Sequence, residues 1–131
     1  MNSIENTVKK FYNAMSKSDN EALDALFSED VKVIGSSGIR YGKKEIMEYF
    51  SHYEMPYADI ESEIIGTYAV GNTFILESLM KAVHTGEYMG IPPSNKRIEL
   101  PSVNVFEVVD GKITSWRTYQ NNKILLDQHN R

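Results

Sequence analysis

The sequence contains no cysteine among its 131 residues. It can therefore form no disulfide, no thiolate nucleophile and no cysteine-based metal site. Its three histidines lie far apart, and none belongs to an HExxH pattern. Patterns typical of phosphate loops and Ser-His-Asp constellations are missing as well. We therefore expect neither a bound metal ion nor a cofactor.

Basic charge is also scarce. Lys and Arg number 14 against 18 Asp and Glu, which gives a formal net charge of −4, and no basic run exceeds two residues. Nucleic acids and anionic membranes favour basic patches, so neither is an expected partner. The first residues are acidic and polar where a signal peptide would carry an apolar core, which favours a cytoplasmic location. The length fits one domain, residues 1–131.

The N-terminal part has the apolar periodicity of helices. Apolar stripes predict one helix over residues 3–17 with Ser3 as its N-cap, and a second from Ser18 and Asp19 to about Phe27. A short strand over 31–34 and a Gly/Ser loop over 35–38 follow. A third helix is predicted from Lys43 to about Tyr53.

From Asp59 the pattern changes to the period of two that marks strands. Residues 59–69 and 73–84 form a predicted hairpin, residues 85–96 a loop, residues 97–120 a second hairpin, and residues 122–128 a closing helix. These elements predict an α+β class: a cone-shaped, curved, mostly antiparallel sheet covered on one face by three N-terminal helices. The space between sheet and helices is the default ligand site.

The turn of the second hairpin decides which side chains face the interior, because a slip of one residue moves every side chain to the other face. A two-residue turn at Asp110-Gly111 would pair even-numbered residues with odd ones, whereas a three-residue loop over 109–111 pairs even with even. We favour the loop. It predicts an interior face made of Ser102, Asn104, Phe106, Val108, Thr114, Trp116, Thr118 and Gln120. The outer face would then carry Val103, Val105, Ile113, Ser115, Arg117 and Tyr119.

Four segments of the chain resemble those of a known superfamily: FYNAMSKSDNEALDALFSEDV, YGKKEIMEYF, HTGEYMGIPPSNKRIEL and VFEVVDGKITSWRTY. They are similar to the nuclear transport factor 2-like superfamily, specifically its SnoaL-like polyketide cyclase and limonene epoxide hydrolase branches. The resemblance covers nearly the whole chain. That superfamily includes enzymes, binding proteins and assembly modules, so the resemblance implies a fold rather than one function.

The resemblance does not extend to the catalytic residues of the epoxide hydrolases. Those enzymes carry Trp-Arg-Asp-Tyr on the last strand with the Asp as general base, and this chain has Thr118 at that position. Their Arg and Asp correspond here to Ser78 and Met80, and their water-holding Tyr and Asn to Val33 and Gly35. We therefore do not expect epoxide opening.

The cyclase relatives keep an acidic residue near the end of the last strand. The matching candidates here are Thr118, Gln120 and Asn121, and none of them takes up a proton near neutral pH. What the chain preserves is the loop phrase HTGEYMGIPP at residues 84–93. The resemblance therefore implies the shape of the pocket better than its chemistry.

Three residues are the catalytic candidates. His84 titrates near neutrality and would act as base or acid, Asn104 would hold a carbonyl or enolate oxygen, and Thr118 stands at the acid position of the relatives. The alternatives are a half-exposed His84 bonded to the loop and an Asn104 bonded to backbone. The predicted ligand-binding residues are Tyr12, Tyr53, Met80, Tyr88, Phe106, Trp116 and Gln120. Trp116 would stack on a ligand or belong to the core.

Two functions of different classes remain open from the sequence. The first is a cofactor-free enzyme of the cyclase, isomerase or lyase kind. The second is a non-catalytic module that binds a small, largely apolar molecule bearing one or two oxygens. In either case we expect a homodimer through the outer sheet face at Val103, Val105 and Ile113, because monomers rarely leave such apolar patches open.

Overall fold

The computed structural model describes residues 3–35 and 38–129. The helices in this part of the chain are α1 Ser3–Ser16, α2 Asn20–Leu26, α3 Lys43–Ser51 and α4 Asn122–His129. The strands are β1 Phe27–Gly35, β2 Gly38–Tyr41, β3 Tyr57–Val70, β4 Thr73–His84, β5 Arg97–Val109 and β6 Lys112–Gln120. None of these helices is long and apolar enough to span a membrane.

The six strands form one sheet in the order β2-β1-β6-β5-β4-β3. The β1–β6 pair is parallel and the other four pairs are antiparallel. Helices α1, α2 and α3 share one buried cluster with the sheet, in which Phe11, Phe27 and Phe106 are almost completely shielded from solvent. The predicted α+β class, with three N-terminal helices on one face of a mostly antiparallel sheet, is confirmed.

A second buried cluster lies at the other end of the sheet, where Leu125 of α4 packs on Ala82, Ile98 and Leu100. The Gln128 side chain fixes α4 there. Its Oε1 accepts a hydrogen bond from the Glu99 backbone N–H at 2.8 Å, and its Nε2 donates to the Glu99 carbonyl at 2.7 Å. The pairing of β5 with β6 ends at Ser102. The Gln128 amide therefore occupies the place that a neighbouring strand would otherwise take.

The first strands differ from the sequence prediction. The strand predicted over 31–34 begins at Phe27, directly after α2. The second strand, β2, begins at Gly38, the last residue of the predicted loop, and no strand was predicted over residues 39–41. Because β2 is four residues long and begins with glycine, it has no alternating pattern of its own, and its pairing with β1 defines it. The predicted loop residues 36 and 37 and the predicted N-cap side chain of Ser3 lie outside the described residues.

The second hairpin has the predicted register but not the predicted loop. Asp110 and Gly111 form a two-residue turn, and both have the positive φ of a type I′ turn, 52° and 75°. A bulge at Thr114 then adds one residue to β6, and the Thr114 hydroxyl donates to the Glu107 carbonyl. From residue 115 onward even residues pair with even ones, as predicted. Ile113, however, is completely buried in the core, so its predicted place on the outer face is wrong. Thr114, predicted on the interior face, is the residue that the pairing skips, and it is not among the residues that line the cavity described below.

Candidate functional site

The sheet and the helices enclose a cavity of about 820 Å³. This volume lies within the range of small-molecule sites. The interior face of the sheet forms the floor, and side chains of α1 and α3 form the opposite wall.

Cross-strand pairing arranges the cavity floor in rows that run across the sheet. One row, here called the asparagine row, consists of Thr67, Leu76, Asn104 and Thr118. The next, the serine row, consists of Ile64, Ser78, Ser102 and Gln120. All eight residues line the cavity. On the other side of the asparagine row, Arg40 pairs with Val33 and Val33 with Trp116, and all three also line the cavity.

The structure brings eight of the ten predicted site residues to this cavity. They are Tyr12, Tyr53, Met80, Tyr88, Asn104, Trp116, Thr118 and Gln120. The β4 and β5 members are even-numbered residues on the interior face, as the resemblance implies for β4 and the hairpin register predicts for β5. The remaining two, Phe106 and His84, do not line it.

Phe106 belongs to the core beneath the cavity. Its side chain is fully buried, with ring centroids 5.2 Å from Phe11 and 6.3 Å from Trp116. Trp116 takes part in both environments, since its ring also lies 4.8 Å from that of Phe11 while it lines the cavity. Both interpretations of Trp116, core residue and cavity wall, therefore describe the same side chain.

His84 lies on the interior face but beyond the cavity. It pairs with Tyr57 at the far end of β4, and its ring lies 5.8 Å from that of Tyr57 and 6.4 Å from that of His129. The side chain is completely buried, so the expected half-exposed histidine is wrong. Neither ring nitrogen has a hydrogen-bond partner among the described residues.

The surroundings of His84 favour its neutral form. Burial lowers the pKa of His84, the backbone of Gly86 acts in the opposite direction, and His129 lowers it further. A neutral imidazole outside the cavity is not placed to exchange protons with a ligand in the cavity. The geometry thus separates His84 from Asn104 and Thr118.

Asn104 and Trp116 form the main polar pair of the cavity. The Trp116 indole N–H donates to Asn104 Oδ1 at 3.0 Å, so Asn104 bonds to a side chain rather than to backbone. An indole N–H is only a donor, so the amide oxygen must face it and the Asn104 NH₂ group must point elsewhere. No described residue accepts a hydrogen bond from that NH₂ group. Because Asn104 lines the cavity, its amide can donate to a ligand.

Tyrosine hydroxyls provide most of the other polar groups. Five of the eight tyrosines line the cavity: Tyr12, Tyr49, Tyr53, Tyr57 and Tyr88. The hydroxyls of Tyr12 and Tyr57 are buried and have no hydrogen-bond partner among the described residues. The Tyr88 hydroxyl donates to Gln120 Oε1 at 3.1 Å, which joins the loop over residues 85–96 to the floor.

Three of these tyrosines, Tyr12, Tyr53 and Tyr57, stay protonated at neutral pH. Burial raises the pKa of Tyr12 well above its ordinary value, and burial followed by the nearby Tyr88 and Tyr53 does the same for Tyr57. Burial also raises the pKa of Tyr53 to about 12, with Tyr49 and Tyr88 adding to the shift. These three residues therefore offer hydroxyl donors rather than phenolate bases.

Charged side chains in the described lining are limited to Glu5, Lys9 and Arg40. Glu5 and Lys9 are partly exposed on α1 and approach each other at 3.8 Å. The Arg40 guanidinium carbon lies 3.8 Å from the centroid of the Tyr49 ring. Within the described residues no group of three or more His, Asp or Glu side chains is close enough to hold a metal ion.

Several lining residues were not among the predicted site residues, and two of them had a usable signal. Ser78 is an even position of β4, and the resemblance, which puts the even positions of residues 74–84 toward the interior, selects it as well as Met80. Tyr49 lies on the α3 stripe at three residues from Ile46. Arg40 had no such signal, because the sequence predicted no strand over residues 39–41.

Comparisons with known proteins agree with this architecture. A family model described as a SnoaL-like domain matches residues 8–116. IdmH, a candidate polyketide cyclase from Streptomyces antibioticus, superposes with a TM-score of 0.79 at 21% identity over 98% of this chain and 99% of its own. A candidate SnoaL-like polyketide cyclase from Jannaschia sp. CCS1 has a TM-score of 0.80 at 15% identity, covering 95% and 89%.

An LEH-like epoxide hydrolase from M. tuberculosis gives a TM-score of 0.73 at 21% identity over 95% of this chain and 87% of its own. A comparison with curated proteins finds no match. At these identities the solved structures establish a shared fold, and the family model spans most of the chain. The chain therefore belongs to the SnoaL-like domain family, with the nuclear transport factor 2-like fold and a relationship to polyketide cyclases.

Proposed function

We propose that the protein binds a small, largely apolar molecule that carries oxygen atoms inside the cavity of the cone. The supporting observation is the Trp116–Asn104 pair, which leaves the Asn104 amide as a donor within an apolar lining. The buried hydroxyls of Tyr12 and Tyr57 add donors without a partner among the described residues. Buried donors of this kind gain most from a ligand that brings carbonyl or hydroxyl oxygens, because leaving them unpaired costs free energy.

Binding is better supported than acid/base catalysis, because a general base must accept a proton near neutral pH. Of the cavity tyrosines, Tyr12, Tyr53 and Tyr57 have raised pKa values and stay protonated. His84 lies outside the lining, and Thr118 offers a hydroxyl beside Asn104 that does not ionise near neutrality. We therefore assign Thr118 to ligand contact and give His84 no catalytic role.

The test of binding uses the single tryptophan as its reporter, since Trp116 lines the cavity. We would titrate the protein with 1,8-dihydroxyanthraquinone, an apolar three-ring molecule with oxygens, and follow quenching of Trp116 fluorescence together with calorimetry. We expect saturable binding of one molecule per chain. Absence of saturable binding would contradict the proposal.

Variants then locate the bound molecule. Asn104→Leu removes the amide donor and should weaken binding about 5- to 20-fold, the effect of losing one buried hydrogen bond. Tyr12→Phe removes a hydroxyl and should weaken it by a smaller factor. The matched controls are Asn20→Leu and Tyr41→Phe, at exposed positions outside the lining. Equal weakening of probe binding in the control variants would show that the probe binds outside the cavity.

Catalysis of the cyclase or isomerase kind is the second candidate, favoured by the same donors. Asn104 and a tyrosine hydroxyl would hold a ketone oxygen and stabilise the negative charge of an enolate. The base would be Glu5, whose carboxylate is the one that the described lining contains. Its side chain is partly exposed and lies 3.8 Å from the Lys9 ammonium, so this candidate ranks below binding.

Enolisation can be measured without knowledge of the natural substrate. We would follow exchange of the α-protons of 2-tetralone in D₂O by NMR with wild type, Asn104→Leu and Glu5→Gln, and with Glu21→Gln on α2 as control. Acceleration that is lost in the first two variants and kept in the control would establish the enzyme. Binding of 2-tetralone without acceleration would leave the binding function alone.

A further inference from the structure

We propose that the molecule bound in the cavity is an unbranched apolar chain with an oxygen at one end, and that its other end leaves the cavity along strand β3. The inference rests on the proposed function, because it names the chemical class of the molecule in the same cavity. It starts from the solvent exposure of the described lining, which is unevenly distributed.

The cavity floor becomes more exposed from the middle of the sheet toward β3. In the asparagine row Asn104 on β5 is buried, Leu76 on β4 is half-buried and Thr67 on β3 is exposed. In the serine row Ser78 on β4 is buried and Ile64 on β3 is exposed. Because β3 is an edge strand of the sheet, both rows lead from a closed interior to an open side.

The exposed part of the lining lies mainly along this edge. Seven of the described lining residues are exposed, and two of these, Lys9 and Ser16, belong to α1. The other five lie on β3 or two residues before it and are here called the mouth: Met55, Ile60, Ser62, Ile64 and Thr67. The cavity therefore opens to solvent along β3.

The mouth is largely apolar. Met55, Ile60 and Ile64 are 43%, 44% and 53% exposed, and the two other members are uncharged. The acidic residues Glu61 and Glu63 of the same strand do not line the cavity, and they form ion pairs with basic residues of β5 and β4. Apolar surface therefore continues from the interior to the outside, and a ligand that covers it gains affinity by removing it from water.

The distance from Asn104 to the mouth gives the length of the chain. Strand β4 separates β5 from β3, so two strand spacings of about 4.8 Å amount to about 10 Å. An extended alkyl chain, with bonds of about 1.5 Å, advances about 1.3 Å per carbon atom. A chain whose oxygen binds the Asn104 amide therefore reaches β3 after about eight carbon atoms, and further carbon atoms lie over Ile60 and Ile64. A compact ring system held at Asn104 would leave these two side chains in water.

The experiment measures, by calorimetry, the binding of methyl ketones of increasing chain length: 2-hexanone, 2-octanone, 2-decanone and 2-dodecanone. In wild type each added methylene group should raise the affinity by about 4-fold inside the cavity and by about 2-fold at the mouth, where one side of the chain stays in water. 2-Dodecanone should therefore bind about 10-fold more tightly than 2-octanone.

A double variant at the mouth tests where the added carbon atoms lie. Ile60→Thr combined with Ile64→Thr replaces apolar surface by hydroxyls and keeps branched side chains that suit a strand. The gain from 2-octanone to 2-dodecanone should fall to about 3-fold or less, while 2-hexanone and the compact 2-tetralone bind within about 2-fold of wild type. The matched control combines Ile65→Thr and Val70→Thr on the same strand, at positions that are 54% and 77% exposed and outside the cavity lining, and it should keep the full gain.

A second measurement needs no variant. A hydroxyl at the far end of the chain should weaken binding of the short ketone, 8-hydroxy-2-octanone against 2-octanone, by about 10-fold, because this end is buried without a hydrogen-bond partner. The same hydroxyl on 12-hydroxy-2-dodecanone should cost about 3-fold or less, because the end of the longer chain is in water. Equal losses for the two lengths would overturn the inference.

The remaining outcomes separate this inference from the proposed function. If 2-dodecanone gains nothing over 2-octanone in wild type, or if the mouth variant and its control lose the same amount, the chain does not leave along β3, and binding of 2-tetralone keeps the proposed function. If light scattering shows that the mouth variant changes the mass of the protein, a second copy of the chain covers the mouth and the inference is wrong. If neither the ketones nor 1,8-dihydroxyanthraquinone binds, the proposed function falls together with it.

Discussion

His84 and His52 lie in different surroundings. His84 is buried, with its ring near those of Tyr57 and His129, whereas His52 follows α3 and is exposed. Burial disfavours the charged imidazole of His84. A variant at His52 therefore serves as the control for a variant at His84.

We predict that His84 makes the protein less stable in mild acid. Its folded-state pKa is lowered below the ordinary 6.5, so the unfolded chain takes up the proton first as the pH falls. The stabilisation is present above pH 6.5 and is lost as the pH falls toward the folded pKa. Urea unfolding between pH 8 and 5 should show this loss in wild type, and His84→Phe should reduce it.

The control for this prediction is His52→Phe, which should unfold with the pH dependence of wild type. If His84→Phe keeps the full dependence, other groups cause it. The measurement also reports the protonation state of His84, whereas it is the position of His84 outside the cavity lining that removes it as a base for a cavity ligand.

For single residues, the sequence could predict the face of the sheet on which a side chain lies, because odd and even positions of a strand point to opposite faces. The resemblance put the even positions of residues 74–84, Met80 among them, toward the interior, and the hairpin register did the same for Asn104; both residues line the cavity. The resemblance also put His84 on the correct face but did not show that it lies outside the cavity. Parity fixes the face of a strand, whereas the end of the cavity along the strand depends on what covers it, here α4 and Tyr57. A single sequence does not contain that information in local form.

At the scale of the element, the second hairpin shows how a correct register can follow from the wrong loop. Asp110-Gly111 is a typical type I′ pair, and a turn of two residues alone would have reversed the faces beyond it. The extra residue at Thr114 restores them. Alternation of apolar residues specifies the faces of the strands, but it does not say where a bulge compensates for the turn.

We predict that Ile113→Ala lowers the free energy of unfolding by about 2–4 kcal/mol, because it removes a buried side chain from the core. The control Val109→Ala, in the same hairpin but 44% exposed, should cost about 1 kcal/mol or less. Urea denaturation followed by circular dichroism measures both. Similar small losses in the two variants would restore the outer-face position of Ile113.

The Gln128 side chain holds the helix α4 to β5 through the two backbone hydrogen bonds that a neighbouring strand would otherwise make. We predict that Gln128→Ala costs about 1–3 kcal/mol and speeds hydrogen exchange of the Glu99 amide, because two hydrogen bonds to Glu99 are lost at once. The control Lys123→Ala removes an exposed pair with Asp127 and should cost less than about 0.5 kcal/mol. An unchanged exchange rate at Glu99 would show that packing of Leu125 alone holds the helix.

For the whole molecule, the sequence predicted the α+β class and the packing of the helices on one face of the sheet. Which strands lie at the two open edges of the sheet, β2 and β3, is known only from the structure. Homodimer formation through the outer sheet face stays a proposal, with its residues corrected. Ile113 is buried in the core and does not belong to the outer face. A groove on the outer face is lined by residues that include Ile65, Val103 and Tyr119. The half-buried Val105 also lies on this face.

We predict that Val105→Glu converts a dimer into a monomer, because a charge in an apolar contact loses its hydration without a partner. Light scattering at micromolar concentration should give twice the chain mass for wild type and the chain mass for the variant. The control Val70→Glu changes an edge-strand residue that is 77% exposed and outside the outer groove, and it should keep the wild-type mass. A monomeric wild type would end the proposal.

The rows of the cavity floor set regular distances between the side chains of the site. Neighbouring positions in a row are about 4.8 Å apart, and neighbouring rows are about 6.6 Å apart, because hydrogen bonding and strand geometry set both spacings. The polar groups on this floor therefore lie at regularly spaced positions, and moving one to a neighbouring position shifts it by a full spacing. The preference for one ligand over another should therefore change in discrete steps. Exchanging the identities of Asn104 and Thr118, which face each other across β5 and β6, would move the amide by one step and favour a regioisomer whose oxygen is displaced by the same distance.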